Sequence, residues 1–126
     1  MDLSRPPAPD PYSLLPVVPA FPVTSEELVD GDVMPGPFTA SGGGTSPHLA
    51  WSDLPEGTRS IAVSCFDPDA PTPAGFWHWS VWDLPAGTTE LPRGAGSSDG
   101  LHLPRPSRHA LNDCGTGRYT GGAPPS

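Results

Sequence analysis

The chain contains no lysine and only two cysteines, and these shortages exclude several classes of protein. Its six basic side chains are all arginine, and with 14 acidic residues they leave a formal net charge of −8. Such a chain lacks the basic surface that neutralises a nucleic-acid backbone. Cys65 and Cys114 are too few for a disulfide scaffold and form no CxxC metal or redox motif. We therefore expect no nucleic-acid partner.

Long apolar runs are absent as well. No run approaches the roughly 18 residues that a membrane-spanning helix needs, so we expect no membrane span. A secretory signal needs an uninterrupted apolar stretch after basic residues, and Pro16 and Pro19 break the one candidate stretch. The expected location is therefore the cytoplasm. We interpret residues 1–20 as a Pro-rich tail and residues 21–126 as one domain, because the length permits a single domain.

Proline and glycine, by contrast, are abundant. The chain has 20 Pro and 15 Gly among 126 residues, a content at which composition begins to favour disorder. Four Trp and four Phe lie between them, and disordered chains are typically poor in aromatic residues. We therefore interpret the Pro and Gly as turn residues between short strands, and the class as mostly β with few short helices.

One predicted strand covers residues 60–66. Its residues alternate between apolar and polar positions, with Ile61, Val63 and Cys65 on one face. Alternation of this kind is typical of a strand that is buried on one side.

A short helical turn is also predicted at residues 24–28, where Thr24 or Ser25 could cap it, and Asp30-Gly31 predicts a turn.

A second predicted strand covers residues 76–82, which are aromatic or β-branched along almost the whole length. A strand that is apolar on both faces is typical of the centre of a sheet. Strict alternation would place His78 and Trp79 on opposite faces of this strand.

The residues that carry chemistry are concentrated in Asp67-Pro68-Asp69-Ala70-Pro71 and in the following His78. Both carboxylates lie where the first strand ends, and His78 lies early in the second strand. If the strands are neighbours, a carboxylate and an imidazole meet at one end of the sheet. A carboxylate orients such a ring and favours its cationic form, which with loop N–H groups makes a small anion site. The alternative is that the carboxylates cap a turn while His78 is a hydrogen-bonded core residue.

The sequence resembles the phosphatidylethanolamine-binding protein family, in the bacterial branch called Raf-kinase-inhibitor-like proteins. The most specific matches are the DPDAP motif and the His78-Trp79 pair, and the resemblance extends from about residue 21 to residue 125. Flanking matches are Val23-Thr24-Ser25, Ser46 to Trp51, Leu54 to Thr58 and Asn112 to Gly115. The resemblance implies an antiparallel β-sandwich-like fold with a pocket for phosphate, phosphoryl headgroups or other small anions.

Matching the family's motifs residue by residue, the resemblance implies ligand-binding roles for seven positions. These are Asp67, Pro71, Trp77, His78, Tyr119, Gly121 and Gly122. Asp69 is expected to brace the DPDAP turn. The resemblance implies no catalytic residue, cofactor or metal, and it implies regulation of a partner enzyme, a kinase or a protease, in some lineages. A homodimer is left open.

The family pattern continues with a His-Arg-Tyr motif, a further strand and usually a helix, whereas the sequence given stops at Ser126. We therefore expect a domain that is incomplete at its C-terminal end. Cys114 is expected to be a packed thiol, and His102 and His109 are expected in a solvated loop.

Two alternatives remain open. One is a small hydrolase or metal-dependent enzyme that uses Asp67 and His78, with His48 as a further metal ligand. No G-x-S-x-G elbow marks a nucleophile for such an enzyme. The other alternative is a truncated relative that binds nothing.

Overall fold

The regular structure consists of six short strands and two 3-10 helices. The computed structural model describes residues 8–70, 74–97 and 103–122. The 3-10 helices are Pro11–Leu14 and Gly36–Phe38, and the strands are β1 (Val23–Thr24), β2 (Leu49–Trp51), β3 (Ser60–Asp67), β4 (Phe76–Pro85), β5 (Glu90–Leu91) and β6 (Arg108–His109). No helix within these ranges is long and apolar enough to cross a membrane.

The strands form two antiparallel sheets. One sheet has the order β1-β2-β5, and the other has the order β3-β4-β6. The predicted mostly β, antiparallel class is therefore confirmed. The aromatic strand β4 lies at the centre of its sheet, as its two apolar faces predict.

The hydrophobic core draws its side chains from both sheets. Its buried members are Trp51, Ile61, Trp79, Val81, Leu84, Leu91, Ala95 and Tyr119. Trp79 lies at the centre of this set with only 1% of its surface exposed, and its ring meets the edge of Tyr119 at a centroid distance of 5.7 Å. Burial of aromatic rings of this size supplies most of the apolar stabilisation that a small domain needs.

A β-bulge interrupts the pairing of β3 with β4 beside the candidate site. Cys65 pairs with Trp79 and the next residue, Phe66, pairs with Trp77, so that His78 is an extra residue in β4. A bulge breaks the alternation of side chains along a strand. His78 and Trp79 are both buried, with 9% and 1% of their surfaces exposed.

The helical turn predicted at residues 24–28 is also wrong. The chain bends there, and the Ser25 hydroxyl accepts hydrogen bonds from the N–H groups of Glu27 and Leu28. The Glu27 carboxylate does not return to Thr24 as a capping box requires, because it accepts from the His48 N–H at 3.0 Å. The predicted turn at Asp30-Gly31 is present, with Gly31 at a φ of 85°.

Part of the segment predicted as a tail contacts the second sheet. The Ala8 N–H donates to the Pro68 carbonyl at 2.8 Å, which ties this segment to the residues that follow β3. Asp10 caps the first 3-10 helix by accepting from the Tyr12 N–H at 2.9 Å. Residues 8–14 therefore lie close to the end of β3 that carries Asp67.

Candidate functional site

Asp67 and His78 lie together at one end of the second sheet. Asp67 is the last residue of β3, and His78 is the bulged residue near the start of β4. The Asp67 Oδ2 atom and the His78 Nε2 atom are 3.9 Å apart. The imidazole is largely buried, with 11% of its side chain exposed, whereas 42% of the Asp67 side chain is exposed. The pair therefore has one buried member and one that faces solvent.

A single hydrogen bond sets the orientation of the His78 ring. Its Nδ1 atom lies 3.1 Å from the Thr120 carbonyl oxygen. A carbonyl can only accept, so Nδ1 carries the hydrogen and Nε2 is the free ring nitrogen on the side of Asp67. At 3.9 Å the direct contact with Asp67 is too long for a hydrogen bond, which leaves Nε2 available to a ligand.

The Asp67 carboxylate is held by the turn that follows it. Its Oδ1 atom accepts from the Asp69 N–H at 2.9 Å, a local side-chain to backbone bond that is typical of an Asx turn. The main chain of Asp69, rather than its carboxylate, makes this contact. Oδ1 is therefore occupied by the turn while Oδ2 faces His78.

The loop of residues 112–122 closes the site and is bonded to β4 at several points. Asp113 exchanges two hydrogen bonds with the main chain of Trp77, at 2.8 and 3.0 Å. The Asn112 side-chain amide donates to the His78 carbonyl, and the Thr120 N–H donates to the same carbonyl at 3.1 Å. These bonds place the Thr120 carbonyl against the His78 ring.

A cavity of about 230 Å³ lies between these elements. Its lining residues are Met34, Cys65, Phe66, Asp67, Pro68, His78, Tyr119 and Gly122. Of the described residues that line it, His78 is the one side chain that can carry a positive charge. The cavity is therefore small, partly apolar and centred on one imidazole and one carboxylate.

The structure brings together four of the seven residues predicted to bind ligand, namely Asp67, His78, Tyr119 and Gly122. Trp77 borders a different cavity, as expected for a residue adjacent to His78 in a strand, where successive side chains point to opposite faces. Gly121 is absent from the lining and instead packs on the backbone of residues 39–40. Pro71 lies outside the described residues.

The Tyr119 side chain forms part of the cavity wall, and its hydroxyl proton is already used in a hydrogen bond. Its hydroxyl donates to the Phe38 carbonyl at 2.5 Å, so its proton is engaged outside the His78 pair. Burial, and secondarily the neighbouring Cys65, raises the pKa of the Tyr119 phenol well above its ordinary value. The ring therefore stays neutral at physiological pH and contributes shape to the cavity.

The seven positions predicted to bind ligand leave out four lining residues, namely Met34, Cys65, Phe66 and Pro68. Cys65 could have been found, because it precedes Asp67 by two positions and so shares its face of β3. Burial first, and the nearby Asp67 second, raises the pKa of the Cys65 thiol to about 11. A thiol that stays protonated is a poor nucleophile. Met34 lies in an irregular segment, and no pattern in the sequence indicates its position.

His48 does not join the site. Its Nε2 atom lies 2.9 Å from the Glu90 carboxylate, and its Nδ1 atom accepts from the Glu26 N–H at 3.0 Å. The hypothesis of a metal site formed by His48, Asp67 and His78 is therefore wrong. Across the described ranges, no group of three or more His, Cys, Asp or Glu side chains is arranged to hold a metal ion.

The predictions for Cys114 and His109 are both wrong. Cys114 is exposed instead of packed. His109 belongs to β6, and its Nε2 atom accepts a hydrogen bond from the indole N–H of Trp79 at 3.0 Å. His109 is therefore bonded to the core, and His102 lies outside the described residues.

Two antiparallel sheets define a β-rich class of protein, and a small, partly apolar cavity with an Asp–His pair lies at one end of the second sheet. A family model described as phosphatidylethanolamine-binding protein matches residues 24–126. The chain belongs to the phosphatidylethanolamine-binding protein family, which confirms the resemblance read from the DPDAP and His-Trp motifs.

Relatives of known sequence support this membership. The UPF0098 protein YbcL of Escherichia coli K12 is 47% identical over 112 residues, which is 84% of this chain and 61% of YbcL. The UPF0098 protein YbhB of the same organism is 48% identical over 106 residues, which is 80% of this chain and 66% of YbhB. The chain thus spans slightly less than two thirds of the length of these curated relatives.

Solved structures show the same fold. The crystal structure of Escherichia coli YbcL, described as a new member of the mammalian PEBP family, matches with a TM-score of 0.82 and 44% identity. The match covers 84% of this chain and 68% of YbcL. A phosphatidylethanolamine-binding protein homolog from Chlamydia trachomatis, CT736, matches with a TM-score of 0.72 and 27% identity, over 85% of this chain and 67% of CT736.

Proposed function

We propose that the cavity between β3, β4 and the 112–122 loop binds a small phosphorylated anion, either inorganic phosphate or a phosphoryl headgroup. The observation that carries this proposal is the orientation of His78. Its Nδ1–H is engaged by the Thr120 carbonyl, so a protonated ring presents Nε2–H to the cavity. A charge-assisted hydrogen bond from that atom to a phosphate oxygen is the strongest contact the cavity offers.

The neighbouring Asp67 carboxylate selects the protonation state of the ligand. A fully ionised phosphate would face Asp67 Oδ2 with like charge at close range, which is unfavourable. A monoanionic phosphate avoids this repulsion, because its P–OH group can donate to Asp67 Oδ2 while another oxygen accepts from His78. We therefore expect binding to strengthen as the pH falls from about 8 to about 6, because phosphate then shifts from its dianion to its monoanion.

The proposed role is that of a binding module rather than an enzyme. The Cys65 thiol beside the pair is held protonated by its raised pKa of about 11, so it makes a poor nucleophile. The family's description as phosphatidylethanolamine-binding supports a phosphoryl ligand over other anions. A hydrolase built on Asp67 and His78 is correspondingly less well supported.

Phosphate titration followed by NMR tests this proposal. Inorganic phosphate and phosphoethanolamine should each produce saturable shifts of the His78 ring resonances and of the Thr120 and Gly122 amides at millimolar concentrations. A response to phosphoethanolamine alone would identify the headgroup as the ligand, and equal responses would identify the phosphate group.

The matched variant is His78→Asn. An asparagine amide can replace the Nδ1–H donor to the Thr120 carbonyl, so the fold is retained while the Nε2 donor and its charge are lost. The phosphate response should disappear in this variant, whose amide spectrum verifies the fold. An unchanged response in His78→Asn, or no saturable shift in the wild type, would overturn the proposal.

A further inference from the structure

A second cavity, of about 570 Å³, lies on the outer side of β3 and β4 beside the N-terminal segment. Three aromatic residues border it, namely Tyr12, Phe66 and Trp77, together with the acidic residues Asp10 and Asp69. Its volume lies within the range of cavities that bind small molecules in proteins.

Neighbouring residues of β3 and of β4 line different cavities, because successive side chains of a strand point to opposite faces. His78 and Cys65 line the cavity described above, whereas Trp77 and Ser64 line this one. Trp77 pairs with Phe66 across the strands, and the centroids of their rings are 4.5 Å apart. The two rings thus form a continuous aromatic surface at the edge of the sheet.

The third aromatic residue comes from the N-terminal segment, which hydrogen bonds hold in place. The Ala8 N–H donates to the Pro68 carbonyl at 2.8 Å, and Asp10 accepts from the Tyr12 N–H at 2.9 Å. The first bond anchors the segment to the residues that follow β3, the second orders the start of the 3-10 helix, and Tyr12 borders the cavity.

The charges of this cavity are opposite to those that an anion requires. Asp10 and Asp69 border it, and none of the described residues that line it is basic. Aromatic faces attract cations through their quadrupoles, and this attraction grows where water is excluded. An alkylated ammonium ion is weakly hydrated and can be desolvated at little cost, so it fits an aromatic cavity with nearby carboxylates better than a metal ion or an anion does.

We propose that this cavity binds a small organic cation of the alkylated-ammonium class. The site is separate from the His78 cavity. Among the described residues, only Phe66 and Pro68 line both cavities, and neither carries a charge. The same chemistry is present in a free quaternary amine and in the headgroup of a choline lipid.

The test is a titration with tetramethylammonium and with choline, followed by the indole N–H resonance of Trp77. Both cations should give saturable shifts that sodium chloride does not give. The neutral isostere of choline, in which a tert-butyl group replaces the trimethylammonium group, should bind several-fold more weakly, because it fills the same space without charge. Equal binding of this isostere would overturn the proposal.

Two substitutions test the residues. Tyr12→Ala should weaken choline binding about threefold, which is the effect expected from losing one partly exposed aromatic face. The fold should tolerate this substitution, because 70% of Tyr12 is exposed. Asp69→Asn should weaken binding about twofold to fivefold at low salt. The matched control is Asp32→Asn, which removes an equal charge at an exposed position outside the cavity. Equal losses in Asp69→Asn and Asp32→Asn would indicate general attraction by the acidic chain and would overturn the proposal.

A parallel experiment separates the two sources of the cation. Saturable binding of free choline supports the proposal with a free amine as ligand. Co-sedimentation with phosphatidylcholine vesicles, without co-sedimentation with phosphatidylglycerol vesicles, supports it with a lipid headgroup as ligand. Absence of both overturns it. The cation response should persist in His78→Asn, so failure of the phosphate proposal would leave this result unaffected.

Discussion

The side-chain amide of Asn112 donates to the main-chain carbonyl of His78 across 3.2 Å, which ties the loop that closes the cavity to the residue whose ring enters it. The same amide donates to the Arg118 carbonyl at 2.7 Å. The Asn112 Oδ1 atom accepts from the N–H groups of Cys114 and Thr116 at 2.9 and 3.0 Å. One buried side chain thus satisfies backbone groups at both ends of the loop.

Replacing Asn112 with alanine should therefore destabilise the protein and loosen the loop. We expect Asn112→Ala to lower the free energy of unfolding by about 2–3 kcal/mol, because it leaves several buried donors and acceptors without partners. Amide exchange at Thr120 should accelerate as well. Leu111→Ala is the matched control, since Leu111 is 74% exposed and its loss should change stability by less than about 0.5 kcal/mol. Equal stability of the two variants would show that the Asn112 network contributes little.

Two adjacent glycines should respond differently to alanine. A methyl group on Gly121 would overlap the backbone of Thr39 and Ala40, which lies against this loop through the hydrogen bond from the Ala40 N–H to the Gly122 carbonyl. We expect Gly121→Ala to lower the free energy of unfolding by about 1–3 kcal/mol. Gly122 has no atom within 4 Å of the same methyl position, so Gly122→Ala should change stability by less than about 0.5 kcal/mol. Chemical denaturation of both variants measures the difference, and equal losses would contradict the close packing at Gly121.

The two cysteines should differ in their rates of alkylation. Cys114 is exposed, whereas Cys65 is half-buried and its pKa is raised to about 11 by burial and by Asp67. Because the thiolate is the reactive form, iodoacetamide should modify Cys114 more than about tenfold faster than Cys65 near pH 8. Peptide mass spectrometry follows both sites, and Cys114→Ser should retain only the slow reaction. The rates should converge in denaturant, and equal rates in the native protein would contradict the burial of Cys65.

The local pattern of the sequence predicts β3 and β4, and it predicts that Asp67 and His78 meet if these two strands are neighbours. The alternation of Ile61, Val63 and Cys65 predicts β3, and the aromatic and β-branched run that contains His78 predicts a central strand. A strand pattern depends on nearest neighbours in the chain, which is why it can be found without the fold.

The rest of the candidate site depends on contacts between distant residues. The Thr120 carbonyl that orients the His78 ring is 42 residues from it in the chain, and no local pattern indicates this contact. The bulge at His78 is likewise invisible in the local pattern, because it exists only in the pairing of β4 with β3. Register and loop closure are set by the packing of the whole sheet.

The hydrogen bond between Trp79 and His109 should make stability depend on pH. The Trp79 indole donates to Nε2 of His109, so the folded state stabilises the neutral form of the imidazole, in which Nε2 can accept. Burial lowers the pKa of His109 below its ordinary value of 6.5. Above the unfolded pKa both states are neutral and the contribution is complete. As the pH falls through that value, the unfolded state takes up the proton first, and the contribution is lost until the folded ring is also protonated.

His109→Gln isolates this effect from that of the carboxylates. The glutamine carboxamide oxygen can occupy the position of Nε2 and accept from the Trp79 indole, but it does not titrate. Between about pH 7 and about pH 5 we expect the wild type to lose free energy of unfolding more steeply than His109→Gln. Urea denaturation at each pH, with the indole N–H resonance of Trp79 as a local probe, measures the difference. Parallel pH profiles would mean that the neutral ring of His109 contributes nothing to the pH dependence of stability.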